Sequence, residues 1–400
     1  MTTRSVLISG GGIAGPALAA LLTRCGIAVT VVERAPAPRP GGQTVDLRGA
    51  ARVVAERMGV LDAVRALSVD QKGIAWVRDD GSIAARMGAD AFGGEGIISE
   101  IEVLRGDLAQ VLADASTGAE YVFGDSVTAL EEDADGVTVG FERSAPRRFD
   151  LVVGADGSHS VVRALAFGPE TECARPLGCY TTWFTVPAEL DLDGWFLMHN
   201  IPGGLVASVR PGRLPGEHKV GLSFRSGPLS YDRTDVIAQK ALVAERFAGA
   251  GWEVSRLIAA MCAADDFVLD SMAQVHLPAW SRGRVVLLGD AAWSPTPLTG
   301  LGTSLALVGA YVLAGELASS DDVSAALRRY EEVLRPYVTG AQKLPPGGIG
   351  GFAPMRALDI RLHMTTMRMM TRWPLRNLIA GQFAKAGDIQ LPDYGLTPAA

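Results

Sequence analysis

Gly10, Gly12 and Gly15 form a GxGxxG turn directly after the apolar run Ser5 to Ser9 and at the mouth of the helically spaced stretch Ala14 to Cys25. Glycines at that spacing suit a pyrophosphate: the first permits the tight turn, the second lets the phosphates approach the backbone, and the third allows close helix packing. N–H groups of the helix start, with Ala14 among them, then face the anion. Glu33 ends the β-branched run Ala28 to Glu33, where its carboxylate can accept hydrogen bonds from an adenosine ribose, and Arg34 stands beside it. A glycine-rich turn without a ligand is the bland alternative, and this half-site alone does not separate one dinucleotide from another.

Two later stretches decide more. DLVVGADGSHSVVR, Asp150 to Arg163, puts Asp156 and Gly157 after a second apolar strand. Asp-Gly alone is a common turn, but that placement makes Asp156 a candidate cofactor contact. RVVLLGDAAWSPTPLTGLGTS, Arg284 to Ser304, sets Asp290 after a third apolar run, with Pro297, Gly300, Leu301 and Gly302 leading into a helix from about Thr303. A carboxylate at that strand end can bond to ribityl hydroxyls. The helix start can offer N–H groups and its positive dipole end to the pyrimidine edge of a flavin, stabilising the negative charge of the reduced ring. A nicotinamide enzyme usually needs only the first stretch, whereas a chain that wraps an entire FAD must return to it from distant parts of the sequence. The spacing therefore predicts a flavoenzyme.

These residues need a βαβ opening to hold them. Gly26 is placed to end the first helix, and Pro16 lies in its first turn, where a missing N–H costs least. From Gly178 the pattern turns β-rich: Gly178 to Val186, Trp195 to His199, Gly204 to Arg210 and His218 to Phe224, separated by Pro/Gly turns. That predicts an antiparallel sheet, and because dinucleotide-type signals flank it, an insertion. The expected fold class is α/β: a discontinuous Rossmann-like FAD-binding domain (1–72, 101–176 and 276–345), an inserted antiparallel β-sheet substrate domain (73–100 and 177–275), and C-terminal helices (346–400). Substrate is expected between the two domains. A helical region is expected from near Val323, a Pro/Gly-rich break at Pro345 to Gly351, and a helical tail from Met355 to Ala386. In that tail Met364, Met367, Met369 and Met370 read as core or interface filler.

Bulk properties agree. A chain of 400 residues has room for two domains, and 48% hydrophobic with 20% charged residues is an ordinary globular balance. A formal charge of −7, from 37 Lys+Arg against 44 Asp+Glu, disfavours nucleic acid as the main partner. Cys25, Cys173, Cys179 and Cys262 form neither a CxxC pair nor a dense disulfide framework and read as reduced, mostly buried thiols. MTTRSVLISGGG lacks the apolar core and cleavage site of a signal peptide. The apolar run Leu305 to Ala318, interrupted by Glu316, is shorter than the roughly 20 residues that span a bilayer and reads as a core helix. A cytoplasmic monomer or homodimer without stable membrane insertion is expected. The five histidines make no HxxxH pair, and neither GxSxG nor a Walker A sequence occurs.

From GGGIAG through VGADGSHSVVR to GDAAWSPTPLTGLG, the chain resembles the single-component FAD-dependent aromatic hydroxylases related to para-hydroxybenzoate hydroxylase. Within them it is similar to the tetracycline-modifying flavin monooxygenases, through GGQTVDLRG at Gly41 to Gly49 and EVLRGDLAQVL at Glu102 to Leu112. By position the resemblance puts Asp46 and Arg105 on FAD, Arg105 near the pyrophosphate and flavin linkage. It puts Arg39 toward NADPH or a mobile flavin, and the backbone of Val127 at the adenine. Two departures stand in the late motif, where the family usually has His after GDAA and Asn after the GxGx loop: Trp293 and Ser304 occupy those places. Trp293 either makes the surroundings of the flavin more apolar or is a packing residue, the second being favoured.

The reaction implied is reduction of FAD by NADPH or NADH, reaction with O₂, and oxygen transfer from a flavin C4a-hydroperoxide to an aromatic or polycyclic small molecule such as a polyketide or antibiotic. The flavin would carry that chemistry, leaving the protein to position substrate and exclude water, so no catalytic acid or base is required. Trp183, Phe196, His199 and Phe224 on the substrate side read as sheet core before they read as catalysts. Rival readings are another FAD reaction, dehydrogenation or halogenation, or a non-catalytic flavin- or ligand-binding protein. GWFLMHNIP does not match the WxWxIP of a flavin halogenase.

Overall fold

The structure is a computed structural model, and it describes residues 5–91, 97–370 and 387–396. The apolar runs that flank the motifs come together as one sheet. Its six strands lie in the order Ser281–Arg282, Val285–Leu287, Leu151–Gly154, Ser5–Ser9, Ala28–Glu33 and Glu120–Phe123, parallel except for the two-residue edge strand. Val6, Leu7 and Ile8 are wholly buried, as expected of a parallel sheet covered on both faces. Helix Ala14–Arg24 makes the first crossover, and Gly26, at φ +74, ends it in the left-handed conformation that glycine adopts without cost. Helix Gly302–Ala318 is apolar on every side and buried along almost its whole length, confirming a core helix. No described helix is long and apolar enough to cross a membrane.

The second sheet has seven strands, ordered Val268–Val275, Ala174–Pro187, Glu217–Arg225, Leu205–Pro211, Trp195–Ile201, Gly73–Val77 and Ile83–Gly88. It is antiparallel apart from one pairing, Trp195–Ile201 with Gly73–Val77, which is parallel because the latter strand arrives from a different part of the chain. Alternation sends Phe184, Val220, Leu222 and Phe224 into a core with Val243, Leu257 and Met261 of helices Val236–Arg246 and Val254–Ala263. The opposite face carries Thr181, Trp183, Ser208, Arg210, Lys219 and Ser223. The chain leaves the first sheet through the one-turn helix Glu170–Cys173 and returns after Val275.

The Pro345 to Gly351 break contains a short helix, Gly348–Phe352, and the tail contains helix Ala357–Met370; residues 371–386 of the expected helical tail lie outside the described residues. Met364 and Met367 pack against strand Ile83–Gly88, whereas Met369 is exposed. Residues 387–396 cross the helix Gly302–Ala318, with the Tyr394 ring lying over Gly315 and its hydroxyl donating to Glu316 at 2.7 Å. Of the cysteines, all free, Cys173 and Cys179 are buried, Cys25 is half-buried and Cys262 is exposed, so burial is less general than expected.

Candidate functional site

Ser5–Ser9, Leu151–Gly154 and Val285–Leu287 are neighbours in the sheet, so the three motif turns that follow them stand side by side at its carboxyl edge. Glu33 ends the next strand along. Ligands of open α/β sheets bind at that edge.

The glycine turn is set by backbone contacts. A Cβ on Gly15 would fall 1.9 Å from the Gly10 carbonyl oxygen, and one on Gly10, itself at φ +115, would fall 2.4 Å from that of Ala155. Gly12 differs: the Arg105 guanidinium, 3.5 Å away, is what a Cβ there would meet, so this stretch of backbone lies open beside a cation. Ala14 is small enough for Gly289 of the late motif to approach it. The Glu33 carboxylate accepts from the N–H groups of Gly11 (2.7 Å) and Ala35 (2.8 Å), which holds it against the turn. Arg34 is exposed, and Arg39, 76% exposed, stands 3.6 Å from Glu33.

Arg105 is delivered by a local clasp. Its N–H donates to the Gln43 carbonyl and that of Gly106 to Gly41, both at 2.8 Å, while strand Thr44–Asp46 pairs with Glu102–Leu104. Asp46 stands 3.1 Å from the buried Arg48 guanidinium, and a Cβ on Gly300 would lie 3.1 Å from it. The other Asp46 oxygen, Oδ1, is buried with no partner among the described residues, and a buried carboxylate oxygen is costly unless something donates to it.

Asp290 follows Gly289, whose φ of +65 makes the turn, and opens the one-turn helix Asp290–Trp293. It is recessed among protein atoms yet reached by solvent, as a residue at the floor of a cleft is. Burial pushes its carboxyl above the ordinary range, Arg105 and Ser294 oppose that, and Asp270 adds to it. Exposed Pro297 starts the turn Pro297–Thr299, and Gly300 closes it at φ +63. Leu301 precedes helix Gly302–Ala318, which no side chain caps, and the Asp290 carboxylate lies 3.9 Å from the Cβ position of Gly302, the first helical residue.

The middle motif bonds within the protein. Asp156 accepts from the Ser160 hydroxyl and from the N–H groups of Val161 (2.8 Å) and Val162 (3.2 Å), so it ties down the start of helix Val161–Phe167. Arg163 is buried and donates to the carbonyls of Ser158 (2.6 Å) and Ala291 (3.0 Å), which fastens this motif to the late one. Val127 starts strand Val127–Glu132 with its side chain in the core, two residues after Asp125, whose N–H donates to the Glu33 carbonyl at 3.2 Å.

Trp293 is a packing residue. It is 1% exposed, its ring centroid lies 4.5 Å from that of Trp280, and Gly309 makes room for it against the late helix. Ser304 is wholly buried and its hydroxyl donates to the Arg48 carbonyl at 3.4 Å. Phe224 belongs to the far-face core, and His199 is buried with its ring 5.4 Å from Trp252. Phe196 has the Arg210 guanidinium 4.6 Å above its ring.

Arg210 and Glu102 were not singled out by sequence. Arg210 bonds to Glu102, which also accepts from Gln71, and Glu102 is the cross-strand neighbour of Asp46. This buried group joins the cofactor strands to the substrate sheet. The one available signal was an arginine in an inward register of a β-rich run. Leu298 of the late turn completes the junction, packing with Cys179, Met272, Ile349 and Phe352.

The sequence profile of the FAD binding domain family matches residues 3–342. A flavin-dependent monooxygenase from an unknown prokaryotic organism is 37% identical over 340 residues, covering 85% of this chain and 88% of that protein. The chain belongs to the FAD-dependent aromatic hydroxylases. Within this family, an uncharacterized protein of Mycobacterium tuberculosis is 42% identical over 355 residues, 88% of this chain and 95% of that one. The crystal structure of tetracycline destructase Tet(55) superposes with a TM-score of 0.82 at 33% identity, covering 98% of this chain and 100% of that one. Klebsiella pneumoniae HpxO, solved with FAD and uric acid, shares the fold at 24% identity and a TM-score of 0.74, over 96% and 97% of the two chains. Among the described residues no group of three or more His, Cys, Asp or Glu side chains is placed to hold a metal.

Proposed function

We propose that this FAD monooxygenase uses NADPH or NADH and O₂ to hydroxylate an aromatic or polycyclic small molecule, of the polyketide or antibiotic type. One observation carries the reading: Gly12 neighbours Arg105, Arg105 acts on Asp290, Asp290 neighbours the uncapped start of helix Gly302–Ala318, and Asp46, with an orphaned oxygen, neighbours Gly300 just before it. Likeness to the tetracycline destructases supports a polycyclic substrate. The donor set fits FAD. When bound, the flavin supplies electron uptake from the nicotinamide, activation of O₂ and oxygen transfer.

The chain's own work is binding and orientation. Gly10, Gly12, Ala14 and Gly15 receive the pyrophosphate with Arg105 beside them, and Glu33 with Arg34 takes the adenosine end, where the Val127 backbone meets adenine. Asp290 accepts from ribityl hydroxyls, and Asp46 accepts through Oδ1. Pro297, Gly300, Leu301 and Gly302 aim helix N–H groups at the pyrimidine edge, where they stabilise developing negative charge. Arg39, exposed at the rim, is the candidate contact for the nicotinamide dinucleotide. Substrate lies between this edge and the Thr181, Ser208 and Ser223 face of the seven-stranded sheet, with Leu298 at the junction. The expected domain division, 1–72, 101–176 and 276–345 against 73–100 and 177–275, follows the same two-sheet reading.

The test is anaerobic mixing with NADPH or NADH, which bleaches bound flavin, followed by aerobic incubation with a library of aromatic and polycyclic compounds and mass spectrometry. A product heavier by one oxygen is expected. Flavin that NADPH and NADH both fail to bleach, or hydrogen peroxide as the sole oxygen product with every candidate, overturns the proposal.

A further inference from the structure

The histidine of the middle motif, to which the cofactor reading gives no role, has a distinctive setting. His159 Nδ1 lies 2.8 Å from Glu170 Oε2, and Nε2 lies 3.2 Å from Asp270 Oδ1. Carboxylates on both ring nitrogens are satisfied together only when both nitrogens carry protons. The three residues come from three places: His159 from the turn after strand Leu151–Gly154, Glu170 from the passage into the seven-stranded sheet, and Asp270 from the edge strand that leads back. One ring therefore bridges the exit at Glu170–Cys173 and the returning strand Val268–Val275, two of the passages between the sheets.

The cluster reaches the late motif by two routes. Arg163, 3.6 Å from the same Glu170 oxygen, donates to the carbonyl of Ala291, the residue after Asp290. Asp270 acts through space on Asp290, adding to the effect of burial. Arg233 stands 3.7 Å from the second Glu170 oxygen, and Tyr231 faces Asp270 with its own hydroxyl pushed further above neutral pH, burial being the main cause.

We propose that His159 is a positioning residue for the flavin site: as an imidazolium it ties Glu170 and Asp270 across the two passages, keeps Arg163 on the Ala291 carbonyl and screens Asp270 from Asp290. The inference rests on Asp290 being a flavin contact. The bond to Asp270, then that to Glu170, raises the imidazole to about 9 against the opposing effect of burial. In the folded protein the ring is charged at neutral pH and loses its proton as pH rises through that value. A neutral ring donates from one nitrogen only, which leaves one carboxylate unanswered.

The test is titration of the whole chain with FAD, read by flavin fluorescence, from about pH 7 to about pH 10. Wild-type affinity is expected to fall roughly five- to tenfold as pH passes about 9. His159→Gln is expected to bind FAD more weakly at neutral pH by a similar factor, with no step near pH 9. Asp270→Asn removes the largest cause of the raised imidazole, so its step moves to lower pH. A wild type with no step, a His159→Gln that keeps it, or an Asp270→Asn step that stays in place each overturns the proposal. Asp290→Ala, titrated alongside, separates the two readings. Unchanged affinity there removes the flavin contact itself, whereas weakened affinity with a pH-flat wild type removes only the role of His159.

Discussion

The glycine turn after Ser5–Ser9 and the Asp156–Arg163 turn after Leu151–Gly154 stand next to each other at the ends of adjacent parallel strands, and they use their polar groups in opposite ways. In the first, glycines remove side chains so that backbone packs on backbone, and the segment at Gly12 is left facing a guanidinium. In the second, Asp156 accepts from the first N–H groups of a helix that Ser160 caps, Arg163 bonds to two carbonyls and His159 is held between two carboxylates. A strand-end turn becomes a ligand site by leaving groups unanswered within the protein. The neighbouring turn, with its groups answered, becomes the brace that holds the site.

The sharpest way to break this contrast lies inside the glycine turn. Gly15→Ala puts a Cβ into the Gly10 carbonyl, so we expect a loss of more than about 4 kcal/mol and little folded protein, checked by thermal melting. Gly12→Val places its Cβ near only the end of a flexible arginine and is expected to melt within a few degrees of the wild type, while FAD affinity falls by about a hundredfold or more. A yellow Gly12→Val preparation would move the pyrophosphate elsewhere.

A crossed pair of carboxylates tests the brace next. Asp290→Ala should weaken FAD binding by about tenfold, near 1.4 kcal/mol, and leave the flavin-free protein no less stable, because burial already disfavours that charge. Asp156→Ala should do the reverse, costing about 1 kcal/mol of stability through the lost helix start while folded protein keeps its FAD affinity within about threefold. Isothermal titration and chemical denaturation of both variants would show it. Equal losses of flavin affinity in the two would erase the distinction between the neighbouring turns.

What could be read from the sequence divides along the same line. Gly10, Gly15 and Gly300 were legible because a backbone approach or a positive φ admits little but glycine, and that demand is local. The burial of helix Gly302–Ala318 was legible because its apolar residues run round every face. The helix-start role of Asp156 was not legible because one Asp-Gly turn serves a ligand or a helix start equally well, and the bonds to Ser160 and the two N–H groups behind it come from the fold. Arg210 with Glu102, and His159 with Asp270, join residues 108 and 111 positions apart. Periodicity tells which face such a side chain occupies and is silent on its partner. For the same reason the parallel pairing of Trp195–Ile201 with Gly73–Val77 lay beyond a reading that could recognise strands but not their neighbours.

Trp293 offers the smallest effect and a clean discrimination. Its indole packs against Trp280, Tyr330 and the gap at Gly309, while its N–H is buried without an acceptor among the described residues. Trp293→Phe loses apolar area, which destabilises, and removes an unsatisfied donor, which stabilises, each by about 1–2 kcal/mol. The two nearly cancel, so a net change below about 1 kcal/mol is expected, with FAD affinity and the spectrum of bound flavin unaltered. A shifted flavin spectrum in Trp293→Phe would mean that the ring touches the isoalloxazine after all. The late turn would then line the flavin with the residue that departs from its family, rather than bury that residue behind it.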